Sequence, residues 1–154
     1  MPTMISGGSR REVLTAASLS ALVAVLLPRM AFADEKSVQA EMKKLFGDKT
    51  FESGRVKLDV PQIAENGLVV PINIEVESPM TADDYVKAVH VFADGNPQPV
   101  VISYHFTPEC GKASAATRMR LAQTQNVICV AEMSNGKLFS TKSEIKVTIG
   151  GCGG

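Results

Sequence analysis

Charge imbalance is the first thing this chain lacks. Its 16 basic residues equal its 16 acidic ones, for a formal net charge of zero. No basic face gathers for nucleic acid, so that class of partner is not expected. Tryptophan is absent and aromatics make up 5% of the residues, yet 45% are apolar, ample for one folded domain. Histidine is limited to His90 and His105. No Cys–His or Ser–His–Asp arrangement can be read from their spacing, and both are taken as structural or surface side chains. Asp83-Asp84 reads as a solvated turn, not a catalytic carboxylate pair. Cysteine occurs only as Cys110, Cys129 and Cys152. An odd count leaves at least one thiol without an intramolecular partner. A lone terminal thiolate with no second Cys or His beside it cannot complete a metal site. No metal and no cofactor are expected. There is also no internal repeat and no heptad run.

What is present is an unusual end, Gly150-Gly151-Cys152-Gly153-Gly154. Glycine lacks a Cβ, so such a tail has little reason to pack, and chain ends are commonly mobile unless pinned. Fully extended, the segment reaches about 17 Å, at roughly 3.4 Å per residue. It is a flexible C-terminal tail no wider than a backbone and one sulfur. That geometry suits delivery of a thiol into a narrow channel of another protein. It suits a fixed active site poorly, because nothing adjacent orients a base. Two other readings stay open on the residues alone: a frayed end with an incidental cysteine, or an intersubunit disulfide in a structural sandwich.

The other end reads as an address. Arg10 and Arg11 open a twin-arginine pattern, an alanine-rich apolar run follows from Ala16 to Leu27, and Ala31-Phe32-Ala33 has the small-x-small form of a cleavage site. The apolar run is shorter than the ~20 residues of a membrane-spanning helix. Residues 1–33 are therefore assigned as a twin-arginine signal peptide. The expected location is the periplasm, reached by the twin-arginine route in company with a folded partner.

Between these ends, 34–149 reads as one domain. Val38, Met42, Leu45 and Phe46 fall at helical spacing up to Gly47, a short N-terminal helix expected to cap one end of a β body. From Arg55 the period changes to two. Candidate strands are 55–60, 68–77, 85–93, 99–106, 114–122, 126–133 and 138–149. Asn66-Gly67, Asp94-Gly95-Asn96-Pro97 and Asn135-Gly136 supply turn chemistry between them. The expected fold is all-β, an immunoglobulin-like antiparallel β-sandwich of about seven strands. Pro71 suggests an edge or a bulge. Strands 85–93 and 99–106 are apolar on both faces, so a partner is expected to bury the second face. Arg118 and Arg120 share one strand face, suited to solvent or to an anion.

The cysteines follow from the same layout. If 114–122 and 126–133 form a hairpin, Cys129 lies opposite about Met119, and Cys110 sits far along the ladder. The gap would exceed the roughly 4.4–6.8 Å that a disulfide allows. Cys129 is then a buried small hydrophobe and Cys110 a loop thiol.

The Gly-Gly-Cys-Gly-Gly terminus on a short exported β-sandwich resembles the SoxY family of sulfur-carrier subunits. So do Glu77 through Pro97 and Val127 through Met133. The resemblance implies a periplasmic heterodimer with a SoxZ-like small β-protein. It also implies a carrier that is not itself an enzyme, with Cys152 as the covalent attachment point. A c-type cytochrome, a sulfate-releasing hydrolase and in some organisms a sulfur dehydrogenase would act on the arm. No Lys, Arg or His lies in the last eight residues, so the thiol is expected to be activated by whichever partner receives it. An anionic adduct further implies electropositive partner channels.

Overall fold

In the computed structural model, residues 34–150 are described. The chain order is α1 (Glu35–Phe46), β1 (Phe51–Glu52), β2 (Val56–Asp59), β3 (Ile63–Asn66), β4 (Val70–Val76), β5 (Val86–Ala93) and β6 (Val100–His105). A 3₁₀ turn (Pro108–Cys110), β7 (Ala113–Met119), β8 (Gln125–Met133) and β9 (Leu138–Ile149) complete it. All the strands expected from alternation are there. Two sheets face one another. The larger runs β1-β9-β8-β5-β6 with β3 also on β9, and the smaller runs β2-β4-β7. Alternation explains the core between them. Val70, Ile72, Ile74 and Val76 of β4 meet Val89, Val91, Val127, Cys129, Ala131 and Ile145 of the large sheet. The intervening β4 residues Pro71, Asn73 and Glu75 stay outside the core.

Several expectations need correction. The sandwich is not wholly antiparallel, because β1 and β3 both pair parallel to β9. Their shortness, and in β3 the alternation with Glu65 and Asn66, hides them from a period-two search. Nor do 114–122 and 126–133 form a hairpin. β7 pairs with β4 in the small sheet, Met119 opposite Val70, while β8 lies between β5 and β9 with Cys129 opposite Val91 and Thr141. Cys110 and Cys129 are both free, the first exposed and the second buried, but for a reason other than hairpin register. Pro71 sits on the central strand of the small sheet, not an edge. β2 pairs with β4 only from Asn73 to Val76, so Pro71 has β7 alone beside it, opposite Arg118. Its missing N–H falls where only one ladder exists to lose a bond.

The second apolar face of β5 is covered by the chain itself. Val38 and Phe46 of α1 pack on Phe92, Val130 and Leu138, the outward side of the large sheet. The helix therefore lies over a sheet face and does not cap an end. Asp34 opens it with a capping box, its Oδ1 accepting from the Ser37 N–H at 2.8 Å and its own N–H donating to Ser37 Oγ at 2.7 Å. Gly47 closes it at φ 68°. Leu45, expected on the apolar stripe, is exposed. β6 is an edge strand. Val100 joins the cluster under the helix, and Val101, Ile102, Tyr104 and Phe106 lie half-buried against the main core.

His90 is part of this helix-covered face. Its Nδ1 is 2.8 Å from Ser103 Oγ, and the Phe46 ring stands edge-on at 5.5 Å. Burial, then the neighbouring His105 charge, holds His90 below the usual imidazole range. The unfolded chain therefore takes up this proton at a higher pH than the folded chain does. Stability is full above about pH 6.5 and declines as pH falls from there toward the lowered folded-state value. Thermal melts should show a smaller loss between pH 7.5 and pH 5 for His90→Gln than for the parent chain. An equal loss in both would assign the effect elsewhere.

Candidate functional site

The C-terminal strand is anchored along its length. β8 pairs with β9 from Glu132 opposite Leu138 to Gln125 opposite Ile145. Beyond that point a side chain continues the ladder. Thr124 Oγ1 accepts the Val147 N–H at 2.9 Å. The last residues of β9 are also held by β3, with Ala64 opposite Val147 and Asn66 opposite Ile149. The Gly67 N–H donates to the Ile149 carbonyl at 2.7 Å, and the Gly67 carbonyl accepts the Leu121 N–H at 2.8 Å. The chain is thus fastened through Ile149, one residue before the glycine segment.

Gly150 has a packing reason, not only a conformational one. A Cβ built there would strike the Ala122 carbonyl oxygen and lie 3.2 Å from its carbon. Only a glycine allows that close approach. Ala122 is itself fixed by a buried amide network. Asn96 Oδ1 accepts the Ala122 N–H at 2.9 Å, and Asn96 Nδ2 donates to the Arg120 carbonyl at 2.8 Å. Gln125 Nε2 donates to Asn96 Oδ1 at 2.9 Å and to the Gln123 carbonyl at 3.1 Å. Gln125 Oε1 accepts the Gly95 N–H at 2.7 Å. Buried amides with partners on both ends are rigid, since breaking one member strands the others. The loop Asp94–Pro99 and the loop Arg120–Thr124 are thereby joined into one platform under Gly150.

Of the residues assigned to the arm, Gly150 is described and sits on this platform. Gly151, Cys152, Gly153 and Gly154 lie outside the described residues, as do Arg10, Arg11, Ala31 and Ala33 of the expected signal segment. Asn96, Ala122, Thr124 and Gln125 escaped the sequence reading. Their roles depend on loops brought together by the fold, and the only visible trace was a turn-forming Asp-Gly-Asn-Pro run.

Burial pushes the Cys129 thiol up to about 12, so it holds its proton at neutral pH and is a poor nucleophile. Cys110 is exposed on the 3₁₀ turn. Asp83 is exposed, but Asp84 is half-buried, with Oδ2 3.5 Å from Arg55 Nη1. Arg118 and Arg120 are exposed and border an open cleft of about 450 Å³ between β6 and β7. Among the described residues, no group of three or more His, Cys, Asp or Glu is placed to hold a metal ion.

Comparison with known proteins bears on this arrangement. The sequence profile of a family described as "Sulfur oxidation protein SoxY" matches residues 42–152, ending on the arm cysteine. The fold is similar to that of the sulfur carrier protein SoxY from Chlorobium limicola f thiosulfatophilum. That match has a TM-score of 0.62 at 29% identity and covers 74% of this chain and 98% of that one. Superoxide reductase (neelaredoxin) from Ignicoccus hospitalis is similar at a TM-score of 0.55 and 14% identity, covering 77% and 95%. Superoxide reductase from Nanoarchaeum equitans gives 0.53 and 14%, covering 63% and 99%. At such identities the two reductases share the sandwich alone. No curated protein matches the chain significantly.

Proposed function

Because this chain belongs to the SoxY family of sulfur-oxidation proteins, we propose that it is a covalent sulfur carrier whose working atom is the Cys152 sulfur. The observation that carries the reading is the clamped root. β9 is held through Ile149 and Gly150 rests on a fixed carbonyl, so the thiol two residues on belongs to an arm with a defined point of departure. In the first step, the thiol and thiosulfate join through a new S–S bond. One proton leaves, and an electron pair passes to a c-type cytochrome. A hydrolase then adds water to the terminal sulfonate, releasing sulfate and leaving a persulfide on Cys152. A sulfur dehydrogenase, where present, oxidises that sulfane to a sulfonate, with oxygen taken from water and the electrons passed to a c-type cytochrome, before a further hydrolysis releases a second sulfate and restores the thiol. The chain supplies no catalysis in this scheme; it is the substrate its partners share. Covalent attachment keeps each intermediate at a high effective concentration beside the next enzyme.

The same reading places the carrier in the periplasm, exported through the twin-arginine signal of residues 1–33 as a heterodimer with a SoxZ-like small β-protein. Intact mass spectrometry of protein purified without reductant tests it. Mass additions of thiosulfate or sulfane sulfur mapping to Cys152 are expected. A quantitative Cys152 disulfide dimer that still supports thiosulfate oxidation would replace the carrier with a structural staple.

A further inference from the structure

Two arginines carry charge that the fold itself leaves unanswered. Among the described residues, every ion pair is made by a lysine or by Arg55, and none takes Arg118 or Arg120. Both are exposed and line the cleft of about 450 Å³ between β6 and β7. The rest of its lining is uncharged, with the amides of Asn96 and Gln98 beside Val101 and Ile102. The cleft thus holds two positive charges and no negative one. Lys142 and Lys146 of β9 differ, because Glu144 lines their cleft with them. A guanidinium presents its donors as a planar fork, the shape that suits an oxyanion. The backbone carrying Arg120 is also fixed, since its carbonyl accepts from Asn96 Nδ2 at 2.8 Å.

Chain length says which anion reaches this cleft. A Cβ on Gly150 would lie 3.2 Å from the Ala122 carbonyl carbon, so the two backbones touch there. Arg120 stands two residues before Ala122, and Cys152 two residues beyond Gly150. Each interval is at most about 7 Å between Cα atoms. An arm running back along 120–122 therefore brings Cys152 level with Arg120, and Arg118 is the next side chain on that face. Exposed ion pairs are weak, so a free oxyanion would bind only when concentrated. A tethered one is presented at an effective concentration of about millimolar or above. We propose that Arg118 and Arg120 form a resting site on the carrier itself for the sulfonate end of its loaded arm. The anionic thiosulfonate on Cys152 docks there, and the uncharged thiol does not. The site rests on the carrier reading above, and it gives a loaded carrier a different surface from an empty one.

Tetrathionate loads the arm without any enzyme. The Cys152 thiolate attacks its central S–S bond, forming Cys–S–S–SO3⁻ and releasing thiosulfate. Cys110→Ser keeps the reaction to one thiol, since Cys129 is buried. The test is NMR relaxation of this carrier, isotopically labelled and bound to its unlabelled small β partner. On loading, the backbone order parameters of Gly151 and Gly153 should rise from the flexible range, below about 0.6, toward the rigid value of about 0.85. The Nε–H signals of Arg118 and Arg120 should shift at the same time. Salt at about 1 M, which screens charges beyond about 3 Å, should undo both responses. Arg118→Gln with Arg120→Gln should abolish the rise. Lys142→Gln with Lys146→Gln removes equal charge from the strand that carries the arm, and should keep it. Capping Cys152 with iodoacetamide, which adds no charge, should produce no rise. An arm that gains no order on loading overturns the resting site. So does an equal loss in the lysine variant, or an equal rise with the uncharged cap. Failure of the carrier reading shows separately, as the absence of any adduct on protein isolated from cells, because tetrathionate loading does not depend on it.

Discussion

Cys152→Ser is expected to abolish thiosulfate-dependent conjugation and sulfate release while leaving the melting temperature within about 1 °C of the parent. A serine oxygen cannot form the S–S bond on which every later step depends, so the loss should be complete. The fold should not register the change. Its core is the set of apolar residues between the two sheets, the strand holding the arm ends at Ile149, and Cys129, the buried thiol, is elsewhere in the structure. Substitutions away from core and hydrogen-bond networks usually fall within about 0.5 kcal/mol. Activity assays and thermal melts on one preparation separate the two effects. Retained conjugation would move the chemistry to another sulfur, and Cys110 is the exposed one.

Gly150→Val is expected to damage both stability and delivery. The added side chain meets the Ala122 carbonyl, and that carbonyl has little room to retreat because its residue is bonded to Asn96, which is bonded in turn to Gln125 and Arg120. Overpacking against a fixed neighbour costs about 3 kcal/mol at the upper end of the usual range. A domain of this size should then melt roughly 10 °C lower. Relief comes from bending the strand end away, which also aims the arm elsewhere, so conjugation should slow even at temperatures where the variant is folded. Deleting Gly153 and Gly154 should cost delivery less than losing Cys152. Gly151→Ala is the useful comparison: a result for Gly150→Val no worse than for Gly151→Ala would mean that the carbonyl contact does not position the arm.

Much of this architecture was legible in residue order. Val127, Cys129, Ala131 and Met133 alternate and do point into the core. The spacing of Val38, Met42 and Phe46 gave a helix, and Asn135-Gly136 closes the β8–β9 hairpin with Gly136 at φ 81°. What alternation does not encode is which strand meets which. β7 carries Met119 inward whether it pairs with β8 or with β4, and the choice is settled by sheet-level packing. The apolar outer face of β5 looked open because the residues that cover it, Val38 and Phe46, stand far away in sequence. The site divides along the same line. Its thiol is conspicuous as a local pattern, but the footing of the arm is assembled from Gly67, Asn96, Ala122 and Thr124, none of which lies near Gly150 in the chain.

The parallel fastening of β3 to β9 has a mechanical side. A partner that grips the arm and withdraws pulls β9 along its own axis. Ladder bonds run across a strand, so the β8 ladder along Leu138–Ile145 and the β3 ladder beyond it, from Lys146 to Ile149, would be loaded in shear instead of being peeled one bond at a time. A tether built this way can be tugged repeatedly without unravelling the body that carries it.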